Sequence, residues 1–100
     1  MLKSGTRLRS QVCDTQVIVV KAVESFEDMR CGGSPMVALD AETDSAATLN
    51  AHFADGSVMG KRYVDAAGGE VLVTKPGTGS LAVGSTPLSL KEAKPLPASD

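Results

Sequence analysis

The sequence predicts a small, mainly β protein with little helix. A run of β-branched residues, Val17-Ile18-Val19-Val20, is typical of a strand that is partly buried on both faces. Towards the C-terminus, short apolar segments alternate with turns that contain Gly and Pro, as in antiparallel sheets. Only residues 40–57 carry a helix signal, which is limited to one or two turns. The length of 100 residues predicts one domain, or one small domain with an extension.

The first third of the chain predicts short strands on either side of the β-branched run. Gly5 to Ser10 is the candidate partner strand before Val17–Val20, and Phe26 to Cys31 is the candidate return strand after it. Gly32-Gly33-Ser34-Pro35 predicts a turn, because Gly tolerates positive φ and Pro fixes the exit. Met36 to Leu39 then adds a short extended piece.

The middle and the end of the chain differ in character. Residues 40–57 are rich in Ala, Ser, Thr and acids. We expect this segment to form one or two helical turns, capped by Asp44 or Ser45, or else a connecting loop. Beyond Gly68-Gly69 the pattern predicts a β-meander. Two prolines bar regular structure from the tail, residues 94–100. The expected meander strands are 70–74, 80–83 and 87–90.

Composition excludes some classes of partner. Ten basic and twelve acidic residues give a net charge of −2, so we expect no general affinity for nucleic acid. No apolar run approaches the roughly 18–20 residues of a membrane helix, and we expect no membrane association and a cytoplasmic location. Two cysteines in that compartment are more often free thiols or metal ligands than a disulfide. Three aromatic residues make a thin core, which favours a homodimer.

Both cysteines lie in turn-like segments on either side of the β-branched run. The first segment is Ser10-Gln11-Val12-Cys13-Asp14, and the second is Arg30-Cys31-Gly32-Gly33-Ser34-Pro35-Met36. Metal ribbons use two such turns, which aim sulfur ligands and backbone N–H groups at one point.

Residues 5–37 resemble desulforedoxin and the N-terminal domain of desulfoferrodoxin, which have a rubredoxin-like ribbon. The family pattern is C-x₂-C, a β-branched strand, and then C-C-G-x-x-M. In this chain Ser10 takes the place of the first ligand and Gly32 the place of the fourth, so two of the four metal-ligand cysteines are missing. The matching positions are Cys13, Val17–Val20, Cys31, Gly33 and Met36.

The resemblance implies a homodimer and a single iron held by four thiolates. Because only two thiolates remain, we expect a degenerate ribbon whose metal site has been emptied or reduced. Three states stay open for Cys13 and Cys31. They are reduced thiols; a disulfide that closes a loop of roughly 18 residues and stabilises by about 3 kcal/mol; or two ligands of an open zinc or iron site, completed by His52, an acid or a second protomer.

The expected organisation is a degenerate desulforedoxin-like ribbon (1–39), a connecting segment (40–57), a β-meander (58–93) and an extended tail (94–100) in one compact unit. The first functional hypothesis is a small non-enzymatic accessory or interaction protein with a protein partner and no cofactor. The alternative is a metal-binding or thiol-redox protein that uses Cys13 and Cys31, with zinc or iron as the metal. We assign no catalytic residue, and a single histidine excludes the superoxide reductase site of full-length desulfoferrodoxin.

Overall fold

The computed structural model describes residues 3–43 and 46–91. Within these residues the protein is mainly β, as the sequence predicts, and its strands form two antiparallel sheets. The strands are β1 (Arg7–Arg9), β2 (Gln16–Lys21), β3 (Met29–Cys31), β4 (Ser34–Pro35), β5 (Val37–Ala38), β6 (Arg62–Val64), β7 (Glu70–Lys75), β8 (Leu81–Val83), β9 (Thr86–Pro87) and β10 (Ser89–Leu90).

The larger sheet has six strands in the described residues, in the order β10-β6-β7-β2-β1-β5. Its centre is the pair of six-residue strands β2 and β7, in which Val17 lies opposite Val73 and Val19 opposite Val71. These four valines are buried, whereas the residues between them face the other side, because successive side chains of a strand point to opposite faces. The β-branched runs therefore form the wall of the core.

The smaller sheet has four strands in the described part of the chain, in the order β4-β3-β8-β9. Cys31 of β3 lies opposite Leu81 of β8, and Met29 lies opposite Val83. Cys31, Leu81 and Met29 belong to the same apolar core as the valines of the larger sheet. One cysteine is therefore a core residue.

The return strand predicted from Phe26 begins later than expected. Residues Glu24–Asp28 form a short 3₁₀ helix, in which the N–H of Phe26 donates to the carbonyl of Val23. Phe26 is the only large apolar residue of this segment, and the turn drives it into the core while Glu27 and Asp28 stay exposed. A strand in this segment would have had no second apolar side chain to bury.

The strands of residues 58–93 do not form a simple meander. β7 pairs with β2 and β6, whereas β8 leaves that sheet and pairs with β3. The first and last thirds of the chain thus contribute strands to both sheets. The sequence prediction also missed β6, because Arg62-Tyr63-Val64 has no apolar run and is held extended by its pairing with β7 and β10.

The connecting segment lies against the second cysteine turn. Its caps Asp44 and Ser45 are outside the described residues, as is the predicted tail at 94–100. A 3₁₀ helix at Ala51–Phe53 is capped by the Asn50 side chain, which accepts from the N–H of His52 at 2.9 Å. Asn50 also donates its own N–H to the carbonyl of Gly32 at 2.8 Å. No helix in the described ranges is long and apolar enough to cross a membrane.

Candidate dithiol site

The two cysteines meet where the sheets approach each other. Cys13 lies in the turn that joins β1 to β2, and Cys31 is the last residue of β3. The two cysteines are not joined by a disulfide, and their Sγ atoms are 3.8 Å apart. The two cysteine-containing segments therefore face each other.

Three polar groups surround the sulfur of Cys13. The Oγ of Ser10 lies 3.3 Å from it and the Oγ1 of Thr15 lies 3.2 Å from it. The backbone N–H of Gly79 donates to the same sulfur across 3.3 Å. All three of these residues are buried, so the groups are held in place by the fold.

The Ser10 hydroxyl is oriented by the backbone of its own turn. Its oxygen accepts hydrogen bonds from the N–H groups of Val12 at 3.1 Å and Cys13 at 3.2 Å. The neutral thiol of Cys13 donates to the same oxygen at 3.3 Å. When Cys13 ionises, this bond reverses and the hydroxyl proton of Ser10 donates to the sulfur. Ser10 thus places a donor where the resembled family has a metal ligand.

These contacts determine the pKa of Cys13. Partial burial opposes ionisation, but hydrogen bonds from Ser10, Thr15 and the Gly79 backbone together outweigh it and lower the pKa of this thiol to about 7. Near neutral pH a large fraction of Cys13 is therefore thiolate, the form of cysteine that acts as a nucleophile.

Cys31 has the opposite environment. Its side chain is completely buried, and this burial outweighs hydrogen bonds from Thr15 and Ser10 and, with a smaller contribution from the nearby Cys13 charge, raises its pKa to about 12. The thiol of Cys31 therefore stays protonated over the physiological range. The site pairs one accessible thiolate with one protected thiol.

The loop Gly77-Thr78-Gly79, which lies between the predicted strands 70–74 and 80–83, completes the site. A Cβ on Gly79 would lie 2.8 Å from the nitrogen of Gly32 and 2.9 Å from the sulfur of Cys31. A Cβ on Gly77 would overlap the Oγ1 of Thr15. Only a chain without side chains at these two positions can approach the cysteines so closely.

A four-thiolate iron site does not fit the residues present. Gly32, at the position of the fourth ligand, has a positive φ of 65° and no side chain. A Cβ built there would lie 2.5 Å from the Cγ2 of Val12 and 2.7 Å from the Cδ1 of Leu49. The apolar side chains of these two residues therefore fill the space that a fourth cysteine needs, and the first ligand position holds a serine.

His52 is not brought to the sulfur atoms. It lies on the exposed 3₁₀ helix of the connecting segment, beside a cavity of about 200 Å³ that is also lined by Tyr63 and Leu88. Within the described residues, no three or more His, Cys, Asp or Glu side chains converge on a point that could hold a metal ion.

The chain matches no protein-family model, and comparisons with curated proteins and with solved structures also find no match.

Proposed function

We propose that the protein is a thiol-redox protein in which Cys13 and Cys31 cycle between dithiol and disulfide. The observation that carries the proposal is the distance of 3.8 Å between the two Sγ atoms. A disulfide bond is about 2.05 Å long, so a closing movement of less than about 2 Å joins them. Cys13 lies in a turn and Cys31 is the last residue of β3, so both residues lie outside the central strands β2 and β7.

The different exposure of the two thiols assigns their roles. Cys13 is partly exposed and meets the oxidant, whereas Cys31 is enclosed and reacts only with Cys13. With a small disulfide as oxidant, the Cys13 thiolate attacks one sulfur and releases one thiolate. The sulfur of Cys31 then attacks Cys13 and releases the second thiolate, which takes the proton of Cys31. Two molecules of an external thiol reverse both steps and restore the reduced pair.

The proposal is tested by equilibrating the full chain with mixtures of reduced and oxidised glutathione. We expect the intact mass to fall by two hydrogens in a cooperative transition, without a lasting glutathione adduct. In the Cys31→Ser variant, glutathione should remain attached to Cys13, because the resolving thiol is missing. In the Cys13→Ser variant no adduct should form. A wild-type chain that accumulates a stable glutathione adduct would contradict the proposal.

We also propose that residues 5–37 form a desulforedoxin-like ribbon. The facing turns support this, as does the position of Ser10, whose oxygen accepts two backbone N–H bonds. A Ser10→Cys variant places a third thiol at this point and should bind Co²⁺ with the intense absorption of cobalt–thiolate bonds. A Gln11→Cys variant, one residue away, should not. Equal binding by the two variants would remove this support.

Metal binding by Cys13 and Cys31 is the alternative, and the same distance favours it. Two thiolates on one tetrahedral zinc ion, with bonds of about 2.3 Å, are about 3.8 Å apart, close to the separation observed. Elemental analysis of gently purified protein distinguishes the two functions. Zinc or iron near one per chain or per dimer supports the metal function, whereas metal-free protein with a reversible disulfide supports the redox function.

An accessory or interaction role in the cytoplasm, as a homodimer, is a further proposal. Val58 and Met59 are adjacent and are 50% and 65% exposed, which provides a small apolar contact for a partner or a second copy. Light scattering coupled to gel filtration tests the dimer. A double variant, Cys13→Ser with Cys31→Ser, that keeps all partner binding would favour this role over the redox function.

A further inference from the structure

We propose that hydroperoxides are a direct substrate of the dithiol site, with Cys13 as the peroxide-reactive residue and Cys31 as the resolving residue. This inference rests on the proposed redox function and adds the chemical class of its oxidant. It is supported by three features of the site: the restricted access to the sulfur, the donors around it, and the distance to the second thiol.

Access to the site favours a small oxidant. Cys31 is completely buried, so oxidation has to begin at Cys13. The sulfur of Cys13 is already approached by the hydroxyls of Ser10 and Thr15, the N–H of Gly79 and the sulfur of Cys31, all within 3.2–3.8 Å. A disulfide must bring two substituted sulfur atoms in line with the nucleophile, whereas a hydroperoxide presents a single small oxygen.

The same polar groups are suited to position the peroxide. Negative charge moves from the sulfur onto the peroxide oxygens as the O–O bond breaks, and this charge requires hydrogen-bond donors. The hydroxyl of Thr15 and the N–H of Gly79 lie 3.2 and 3.3 Å from the sulfur, within reach of the peroxide oxygen that the sulfur attacks. The Ser10 hydroxyl, fixed by two backbone N–H groups, is a third donor.

The reaction balances in two steps. The Cys13 thiolate attacks one peroxide oxygen, the O–O bond breaks, and Cys13 becomes a sulfenic acid while the leaving oxygen is protonated to water or an alcohol. The sulfur of Cys31 then attacks Cys13, the S–O bond breaks, and hydroxide leaves with the proton of Cys31 as water. One hydroperoxide and two thiols thus yield one disulfide, one water, and a second water or an alcohol.

The separation of the two sulfurs explains why oxidation stops at the disulfide. A sulfenic acid that stays exposed to peroxide is oxidised further to an irreversible sulfinic acid. The sulfur of Cys31 lies 3.8 Å from that of Cys13, so condensation needs no rearrangement of the fold. Cys31 therefore protects Cys13 from irreversible oxidation.

The test treats the reduced full chain with hydrogen peroxide and follows free thiols, peroxide consumed and intact mass. We expect one peroxide per disulfide, and a rate several-fold to about tenfold above that of free glutathione at neutral pH, because an ordinary thiol is only a few per cent ionised there. Cys31→Ser, or Cys31→Ala if the serine variant fails to fold, should stop at a sulfenic acid that dimedone traps on Cys13. Cys13→Ser should be inert.

A matched pair of threonine variants tests the donors. Thr15→Val removes a buried hydroxyl beside the sulfur, and Thr78→Val removes an exposed one from the neighbouring loop. We expect Thr15→Val to slow the peroxide reaction several-fold and Thr78→Val to leave it unchanged. Equal rates for the two variants, both correctly folded, would overturn the role assigned to the donors.

Oxidation with glutathione disulfide in a parallel experiment distinguishes failure of the peroxide inference from failure of the redox function on which it rests. If glutathione disulfide closes the pair but peroxide reacts no faster than with free glutathione, peroxide is not the substrate and the redox function survives. If neither oxidant joins Cys13 to Cys31, both proposals fail.

Discussion

The turn at Cys13 and the turn at Cys31 place their sulfur atoms 3.8 Å apart, yet the pKa of one thiol is lowered and that of the other is raised. The first turn keeps polar donors and an opening to solvent. The second is enclosed by the core and by Gly79, and Val12 and Leu49 occupy the space beside Gly32. The comparison shows that two adjacent thiols in one small site differ strongly in exposure and in pKa. One half provides the reactive sulfur, and the other half keeps its partner protonated and protected.

The largest expected difference between the two turns is their rate of alkylation. The pKa of Cys13 is lowered to about 7 and that of Cys31 is raised to about 12. The thiolate of Cys31 is the more basic of the two and therefore the stronger nucleophile, which offsets about half of the difference in pKa. Near neutral pH Cys13 should still react at least about a hundredfold faster, even before the burial of Cys31 is considered. Iodoacetamide pulses on reduced protein, followed by peptide mass analysis, measure both rates.

The difference in pKa also predicts how the alkylation rate of each cysteine changes with pH. Thiolate forms above the pKa, so the Cys13 rate should rise as the pH increases through about 7 and level off above it. Cys31 should remain unmodified over that range and react only after unfolding. Equal modification of the two cysteines in the native protein would show that the turns do not differ as described.

A substitution at the contact shared by both turns should cost the most stability. In Gly79→Ala the new Cβ would meet the backbone of Gly32 at 2.8 Å and the sulfur of Cys31 at 2.9 Å, so the loop has to move. We expect a loss of about 3 kcal/mol in the free energy of unfolding, at the upper end of the usual cost of overpacking. Denaturant titration measures it, and Thr78→Ala on the exposed side of the loop is the control, with a loss below about 0.5 kcal/mol.

Replacing either cysteine should lower the free energy of unfolding by less than Gly79→Ala does, and the loss should be greater for Cys31 because it is more deeply buried. Cys31→Ser introduces a hydroxyl into a fully buried position and should lower the free energy of unfolding by about 1–3 kcal/mol. Cys13→Ser keeps a polar group beside Ser10 and Thr15 and should cost less than about 1 kcal/mol. Thermal or denaturant unfolding of both reduced variants makes the comparison. A larger loss in Cys13→Ser would contradict the assignment of Cys31 to the core.

The sequence alone predicted where individual strands lie better than it predicted which strands pair with each other. The β-branched runs identified the central strands β2 and β7, because side-chain preference and burial act within the strand itself. It missed the strand Arg62–Val64, which is held extended by β7 on one side and β10 on the other. The same limit explains why Gly79 was not recognised as part of the site. Its contact with the cysteines depends on the pairing of β8 with β3, which no local pattern encodes.

The smallest predicted effect isolates one hydrogen bond at the first turn. Thr15→Val preserves the shape of a buried side chain and removes the hydroxyl that lies 3.2 Å from the sulfur of Cys13. A hydrogen bond to a thiolate that stabilises it by about 1 kcal/mol corresponds to about 0.7 pKa unit. We therefore expect the midpoint of the Cys13 alkylation profile to rise by about half a unit to one unit. Ser10→Ala is a less direct probe, because it also deprives the N–H groups of Val12 and Cys13 of their acceptor. An unchanged midpoint in a folded Thr15→Val protein would mean that the remaining contacts, Ser10 and Gly79, hold the thiolate without Thr15.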